Sequence, residues 1–424
     1  MKKVILPLLL LIGLCSAQAE NTVTKNRANN QLCLTLEAGG KAYYNTSQIS
    51  SVVLGDKIVV NIDETTQDVY DNNISAIEFA KKSVENVAVN IAYNGTSASV
   101  TGDTDVVSVS QSGANVTITS TIDSYLDITL SGSTTSGSLV VYSQKKYGIT
   151  LNGVSITNPQ GPAINNQCGK SLYVTLAAGT SNVLTDGATY AEQTISQKGT
   201  LFSEGQIYFD GSGSLTINGN AKNGIASDDY IVVNGGTINV NVAATGSNGI
   251  KTNDGFTING GKLGVSVKAD GARGIKCDAK VLIEGGETTI TTSGDCLIET
   301  VDGVRDTASA AGIKCDSLFS MTAGKLTVTS TGDGGKGINC ADTVKFAGGT
   351  LVVNTTGSND EGKPKAVKGD KGIIVSGGSF TATCKKSWAL DNGVDSDTVA
   401  DRVTIVGTPT TKTLEKRNVI IKYE

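Results

Sequence analysis

The chain has 424 residues, with 51 glycines, five prolines, no histidine and a formal net charge of −5. The missing histidine excludes Ser-His-Asp and Cys-His nucleophilic sites and every His-ligated zinc centre, and the acidic balance argues against nucleic acid as a partner. Abundant glycine with little proline suits a chain that turns often and keeps its backbone ladders intact.

The first nineteen residues read as an export signal. Lys2 and Lys3 give a positive start, Val4 to Leu14 an apolar stretch, and Ala17-Gln18-Ala19 a small-x-small cleavage site before Glu20. Cys15 follows Leu14, where a lipidated cysteine normally follows a small residue, so cleavage rather than lipid anchoring is expected. Loss of Lys2 and Lys3 takes the net charge from −5 to −7. No later segment is apolar enough to span a bilayer. The expectation is an exported monomer, placed outside the cell, on its surface or in the periplasm.

Residues 20–105 predict a small β region that caps or links. Gln48 to Leu54 and Asn73 to Phe79 resemble two copies of one short unit, 25 residues apart. Residues 106–405 predict an all-β domain, a right-handed parallel β-helix. Its first coils are Asp127 to Leu130, Gly148 to Leu151 and Tyr173 to Leu176, with Ala163-Ile164 supplying the first repeat isoleucine.

The repeat is plainest from Gly224 onward. Gly-Ile recurs at Ile225, Ile250, Ile275, Ile313 and Ile338, in steps of 25, 25, 38 and 25 residues. After each Ile comes an alternating apolar run, a Gly-Gly or Ala-Gly turn, and a second alternating run, which makes three short strands per coil. Period-two alternation puts Ile231, Phe256, Val281, Phe319 and Val344 on one face, and Ile238, Leu263, Leu326 and Leu351 on another. Leucine-rich repeats share this period but need a Leu scaffold and an Asn that are missing here. The last coils carry Ala366-Val367 and Ala389-Leu390, and residues 406–424, with the run Asn418 to Tyr423 and Trp388, predict closure of the far end.

Seven cysteines remain after export: Cys33, Cys168, Cys277, Cys296, Cys315, Cys340 and Cys384. An odd number leaves at least one thiol unpaired. Cys277, Cys315 and Cys340 each stand two places after the repeat Ile, so alternation turns them inward. A buried thiol ladder is the expected arrangement, although stacked Cα atoms ~4.8 Å apart also fall within disulfide range.

One residue beyond each repeat Ile must point outward. There stand Ala226, Lys251, Lys276, Lys314, Asn339 and Lys368, a lysine ridge on an acidic protein. Two places further the row is Asp228, Asn253, Asp278, Asp316, Ala341 and Asp370, with Asp229, Asp254 and Asp342 adjacent. Asp and Asn suit corners because they bond nearby backbone amides. Stacked carboxylates also need a counter-charge: the lysines, or calcium, which takes roughly six to eight oxygens. Candidate metal ligands are therefore Asp228, Asp229, Asp254, Asp278, Asp316 and Asp370, and candidate ligand-binding residues Lys251, Lys276, Lys314 and Lys368. Two longer connections interrupt the repeat. Thr185 to Gly199 carries Tyr190, a candidate for stacking on a sugar, and Gly294 to Ala311 carries Asp295, Glu299, Asp302, Arg305 and Asp306.

The series Leu151 to Asn158, Gly161-Pro162-Ala163-Ile164-Asn165, Asn182 to Gly187, Gly199 to Gly205 and Gly224 to Asp229 resembles a bacterial family of exported carbohydrate-binding β-helix proteins, a pectate-lyase-like solenoid. The resemblance runs from about Ala98 to the C-terminus. It implies binding of cellulose or an acidic, pectin-like polysaccharide, with calcium. The chain departs from the family pattern where many members carry Asp-Asp before Gly-Ile and His after it. Asn223, Asn248, Arg273, Ala311 and Lys336 precede the glycine here, and lysine stands where histidine would. The expected function is polysaccharide binding along a lengthwise face. The alternatives are a calcium-assisted polysaccharide lyase using a lysine base, and an adhesin that displays the two long loops.

Overall fold

The computed structural model describes residues 4–6, 31–37, 41–45, 49–62, 66–71, 73–80 and 86–424. The chain divides into two compact units, Met1–Glu85 and Asn86–Glu424. Apart from Val4–Leu6, the expected export signal and its cleavage site lie outside the described residues.

The first unit holds two antiparallel sheets. One has the order Val4–Leu6, Ser51–Leu54, Ile58–Asn61, Gln67–Tyr70; the other pairs Gln31–Leu36 with both Lys41–Asn45 and Ile74–Ala80. The two sequence-similar segments thus enter different sheets. Leu32, Leu34, Val52 and Val60 form the centre of a small core.

The second unit is a parallel β-solenoid, all-β as its alternation predicts. Its repeat isoleucines fall in one continuous 12-stranded sheet, here called the Gly-Ile face. The strands before and after each glycine turn form the pre-turn and post-turn faces of a second, 23-stranded sheet. Residue pairing keeps like above like: Val116, Leu139, Ile164, Leu201, Ile225, Ile250, Ile275, Ile313, Ile338, Val367 and Leu390 make one column, each at most 1% exposed. The other two faces send their alternate residues into the same dry interior, which includes Phe256, Phe319, Phe346 and Phe380. Burying each such side chain contributes about 1.5–3 kcal/mol.

The repeat glycines have two separate reasons. The second glycine of the turn sits at positive φ, from 67° at Gly378 to 80° at Gly236 and Gly349, a region that side chains disfavour. The glycine before each Ile answers to packing. A Cβ on Gly224, Gly249, Gly274, Gly312 or Gly337 would lie 2.1–2.4 Å from a methyl of Val240, Val265, Ile290, Val328 or Val353 on the post-turn face. One turn later Ala366 takes this place, and the residue in the facing column is Ala382 rather than valine. The methyl group that one face gains, the other gives up.

All seven described cysteines are unpaired and buried. Cys277, Cys315 and Cys340 stack on successive turns below Thr252, and Cys340 donates to the Ser317 carbonyl at 3.0 Å.

The first parallel strand, Val87–Gly95, precedes Val106, where the sequence pattern starts. It pairs with Leu126–Thr134 and is covered on its other edge by the antiparallel Ser97–Gly102. At the far end Asn418–Lys422 pairs antiparallel with Ser379–Cys384. Each device closes a strand edge that would otherwise recruit another chain.

Thr288 interrupts the post-turn column between Leu263 and Leu326, fully buried, and its hydroxyl has no partner. Thr288→Val removes that hydroxyl at nearly constant volume. It is expected to stabilise the second unit by about 1 kcal/mol, seen as a higher urea midpoint at unchanged slope.

Candidate functional site

The Gly-Ile strands present two outward rows. In the row after the isoleucine, pairing stacks Lys251 on Lys276, Lys276 on Lys314, Lys314 on Asn339, and Asn339 on Lys368. All four predicted lysines therefore share one row on one face. In the row before the glycine, Arg273 pairs with Ala311, Ala311 with Lys336, and Lys336 with Lys365. The sequence shows those residues as departures from the family pattern; the fold lines them up as a second row, which is largely buried, Ala311 being 0% and Lys365 6% exposed and Lys365 paired with Asp391 at 3.5 Å.

The corner beyond carries the aspartates, and it meets the lysines. Lys251 pairs with Asp278, Lys276 with Asp278 at 3.4 Å, Lys314 with Asp316 at 3.9 Å, and Lys368 with Asp370. Lys198 reaches Asp228 at 2.6 Å. These pairs are half-exposed, the lysine side chains of the ridge being 20–33% accessible. Burial pushes the Asp278 carboxyl up, and Lys251 and Lys276 more than reverse it, holding the group below the usual carboxylate range. Burial lowers the Lys336 ammonium to about 8, with repulsion from Lys368 adding to the effect, and Lys336 donates to the Ser309 hydroxyl.

The remaining predicted ligands lie apart. Asp229 accepts from Gln206 and from the Tyr230 backbone, and Asp254 is exposed with its backbone amide bonded to the Asp229 carbonyl. Among the described residues no three His, Cys, Asp or Glu side chains come together as a metal cluster. Asp228, Asp278, Asp316 and Asp370 each have a lysine partner, Asp278 two, and a cation there would have to displace ammonium groups.

Both long connections lie beside this face. The segment Thr185 to Gly199 folds across it. Asn165 and Phe202 occupy the outward row yet are 2% and 0% exposed, because Ser196 and Lys198 lie over them: the Ser196 carbonyl accepts from Asn165 and Gln167 at 3.1 Å each, and the Lys198 ammonium stands 5.5 Å from the Phe202 ring. Tyr190 is fixed within this segment. Its hydroxyl donates to Asp186 at 2.7 Å and the Lys222 ammonium covers its ring at 5.0 Å. The second connection forms a hairpin, Leu297–Val301 with Val304–Ala308, anchored by Arg305 on Glu361 and exposing Ile298 and Val304.

Where the loop ends, Ala226 replaces the bulky residues of the row and leaves a hollow of about 490 Å³. Lys198, Lys222, Lys251, Asp228, Asn248 and Gln197 line it. A second hollow of about 510 Å³, beside Tyr190, shares Gln197 and Lys222. Sequence reasoning missed both, since a small residue inside a regular row signals nothing until the neighbouring loop is seen to wall it in.

A family model described as carbohydrate-binding domain-containing protein matches residues 112–297 and 267–362. A carbohydrate-binding domain-containing protein of Acetivibrio thermocellus is 32% identical over 117 residues, 26% of this chain. This chain covers 41% of that relative's length. A polysaccharide lyase-like protein from C. thermocellum, solved as a gadolinium derivative, is similar over 62% of this chain and 97% of its own, at 28% identity and a TM-score of 0.49. With most of the solenoid inside the family match, this chain belongs to the carbohydrate-binding domain-containing family.

Proposed function

We propose that the protein binds an acidic, pectin-like polysaccharide along the Gly-Ile face. The observation that carries this reading is the lysine row. Lys251, Lys276, Lys314 and Lys368 run parallel to the solenoid axis on a chain of net charge −5. Lysines on a lattice act as point charges, each able to meet a sugar carboxylate. The aspartate corner holds the ammonium groups in place and repels a misplaced anionic chain. Export through the signal at residues 1–19 is part of the proposal, since it brings the protein to such polymers.

Titration with polygalacturonate and with cellulose tests the reading. Binding to polygalacturonate and weaker retention on cellulose are expected; the reverse order would overturn it. Chelation is expected to leave the affinity unchanged, because the corner carboxylates already have ammonium partners. A drop of tenfold or more in EDTA, restored by calcium, would instead make calcium a bridge between Asp278 or Asp316 and the glycan.

The lyase reading is favoured by Lys336, whose ammonium at about 8 is nearer to a working base than an ordinary lysine. Incubation with polygalacturonate is nevertheless expected to yield no unsaturated product. Steady formation of that product, lost in Lys336→Ala, would establish the lyase.

A further inference from the structure

The chain has one tryptophan, and it stands at the C-terminal end of the solenoid, half-buried, just before the last Gly-Ile strand, Leu390–Asp391. Two cations lie over its ring, and they differ. Arg402 is 6% exposed, with its guanidinium carbon 4.2 Å from the centre of the indole, and it donates to the Ser396 carbonyl at 2.6 Å. Lys416 is exposed, with its ammonium 4.7 Å from the indole, and among the described residues that ring is its side chain's one partner. Arg402 is part of the fold; Lys416 is free to leave the ring. Beside it Trp388, Asp397, Thr398, Leu414 and Lys416 line a hollow of about 400 Å³, an ordinary size for a small-molecule site.

Hydrogen bonds fix both walls of this hollow. The Ser396 and Thr398 hydroxyls donate to the Asp401 carboxylate at 2.6 and 2.8 Å, and the Asn392 side chain donates to the Asp401 carbonyl at 2.9 Å, which pins the segment 396–401 to the last coil. Opposite, the Ala389 amide donates to the Lys416 carbonyl at 2.8 Å and the Cys384 amide to the Arg417 carbonyl at 2.9 Å. These two bonds also bring Lys385 and Lys386 alongside Lys416 and Arg417. All four are exposed, and among the described residues none is in an ion pair. An aromatic wall beside unpaired cations suits a sugar that carries a carboxylate: its ring packs on the indole, its carboxylate meets an ammonium, and its hydroxyls donate to Asp397.

We infer that the hollow beside Trp388 is a second binding site, which takes a single uronic acid unit with its ring on the indole and its carboxylate on Lys416. It takes its class of sugar from the acidic-polysaccharide reading above, but none of its residues belongs to the lysine row. Because the chain has one tryptophan, its emission reports on this hollow alone. Titration with galacturonate, followed by that emission and by its quenching with acrylamide, tests the inference. A saturable change with protection from the quencher is expected, with a midpoint near ~1 mM, the usual strength for so small a ligand. Galactose, which lacks the carboxylate, should need about tenfold more, and Lys416→Gln should bring galacturonate to the galactose midpoint. Neither change nor protection with galacturonate would overturn the inference, and equal midpoints for the two sugars in the parent would overturn the assignment to an acidic sugar. Calorimetry with polygalacturonate separates this site from the row. Polymer binding without a galacturonate response at Trp388 sinks the second site alone, whereas a galacturonate response without polymer binding sinks the row and leaves the hollow standing.

Discussion

Gly312→Val is expected to leave no folded solenoid under conditions where the parent is stable. The position faces inward, and even a single Cβ there would lie 2.2 Å from the Val328 methyl. Neither partner can retreat, because Gly312 belongs to a strand paired on both sides and Val328 to another. Overpacking usually costs about 1–3 kcal/mol, and two added methyls on top of this contact should exceed that range, against a total stability of ~5–15 kcal/mol. The smaller change Gly312→Ala should be destabilising by about 1–3 kcal/mol, and adding Val328→Ala should recover part of the loss. The Ala366 turn already makes that exchange with Ala382. Urea denaturation of the two single variants and the double variant closes the cycle. Strict additivity, with no recovery in the double variant, would show that the glycine is required for another reason.

The second large effect is on binding. Lys276→Ala with Lys314→Ala is expected to abolish measurable binding to polygalacturonate at physiological salt while moving the melting temperature little. Both side chains are half-exposed, Asp278 keeps Lys251 as a partner, and exposed ion pairs contribute ~0–1 kcal/mol each. Raising salt should act on the parent in the same way, since the screening length falls from ~8 Å at physiological ionic strength to ~3 Å at 1 M. Binding that survives both treatments would move the ligand away from the lysine row, towards the hollow beside Tyr190. A melting temperature that collapsed in the double variant would show that the row supports the fold rather than a ligand.

The adhesin reading now has a definite object, the hairpin Leu297–Ala308, whose exposed Ile298 and Val304 lie on an element outside the solenoid sheets. Its sequence carries a hairpin signal: Asp302-Gly303 forms the two-residue turn between Val301 and Val304, at φ of 50° and 77°, conformations that aspartate and glycine take more readily than most residues.

What the sequence determined by itself was whatever repeats. The Ile column, the inward cysteines, the outward lysines and the corner aspartates all follow from two periods, the strand's alternation and the coil's step of 25 residues, because each is a rule about a residue and its own turn. Pairing across the faces was not legible. The requirement for Gly312 depends on Val328, sixteen residues further on, meeting it through the interior, and the Ala366–Ala382 exchange becomes meaningful only once that facing is known. The site divides along the same line. Which lysines share a face could be counted off the repeat, but their pairing with Asp278, Asp316 and Asp370 depends on side-chain reach between and along turns. The wall over Phe202 belongs to a segment with no period at all, so its path across the Gly-Ile face, and the hollow it closes at Ala226, were decided only by the tertiary hydrogen bonds that hold it there.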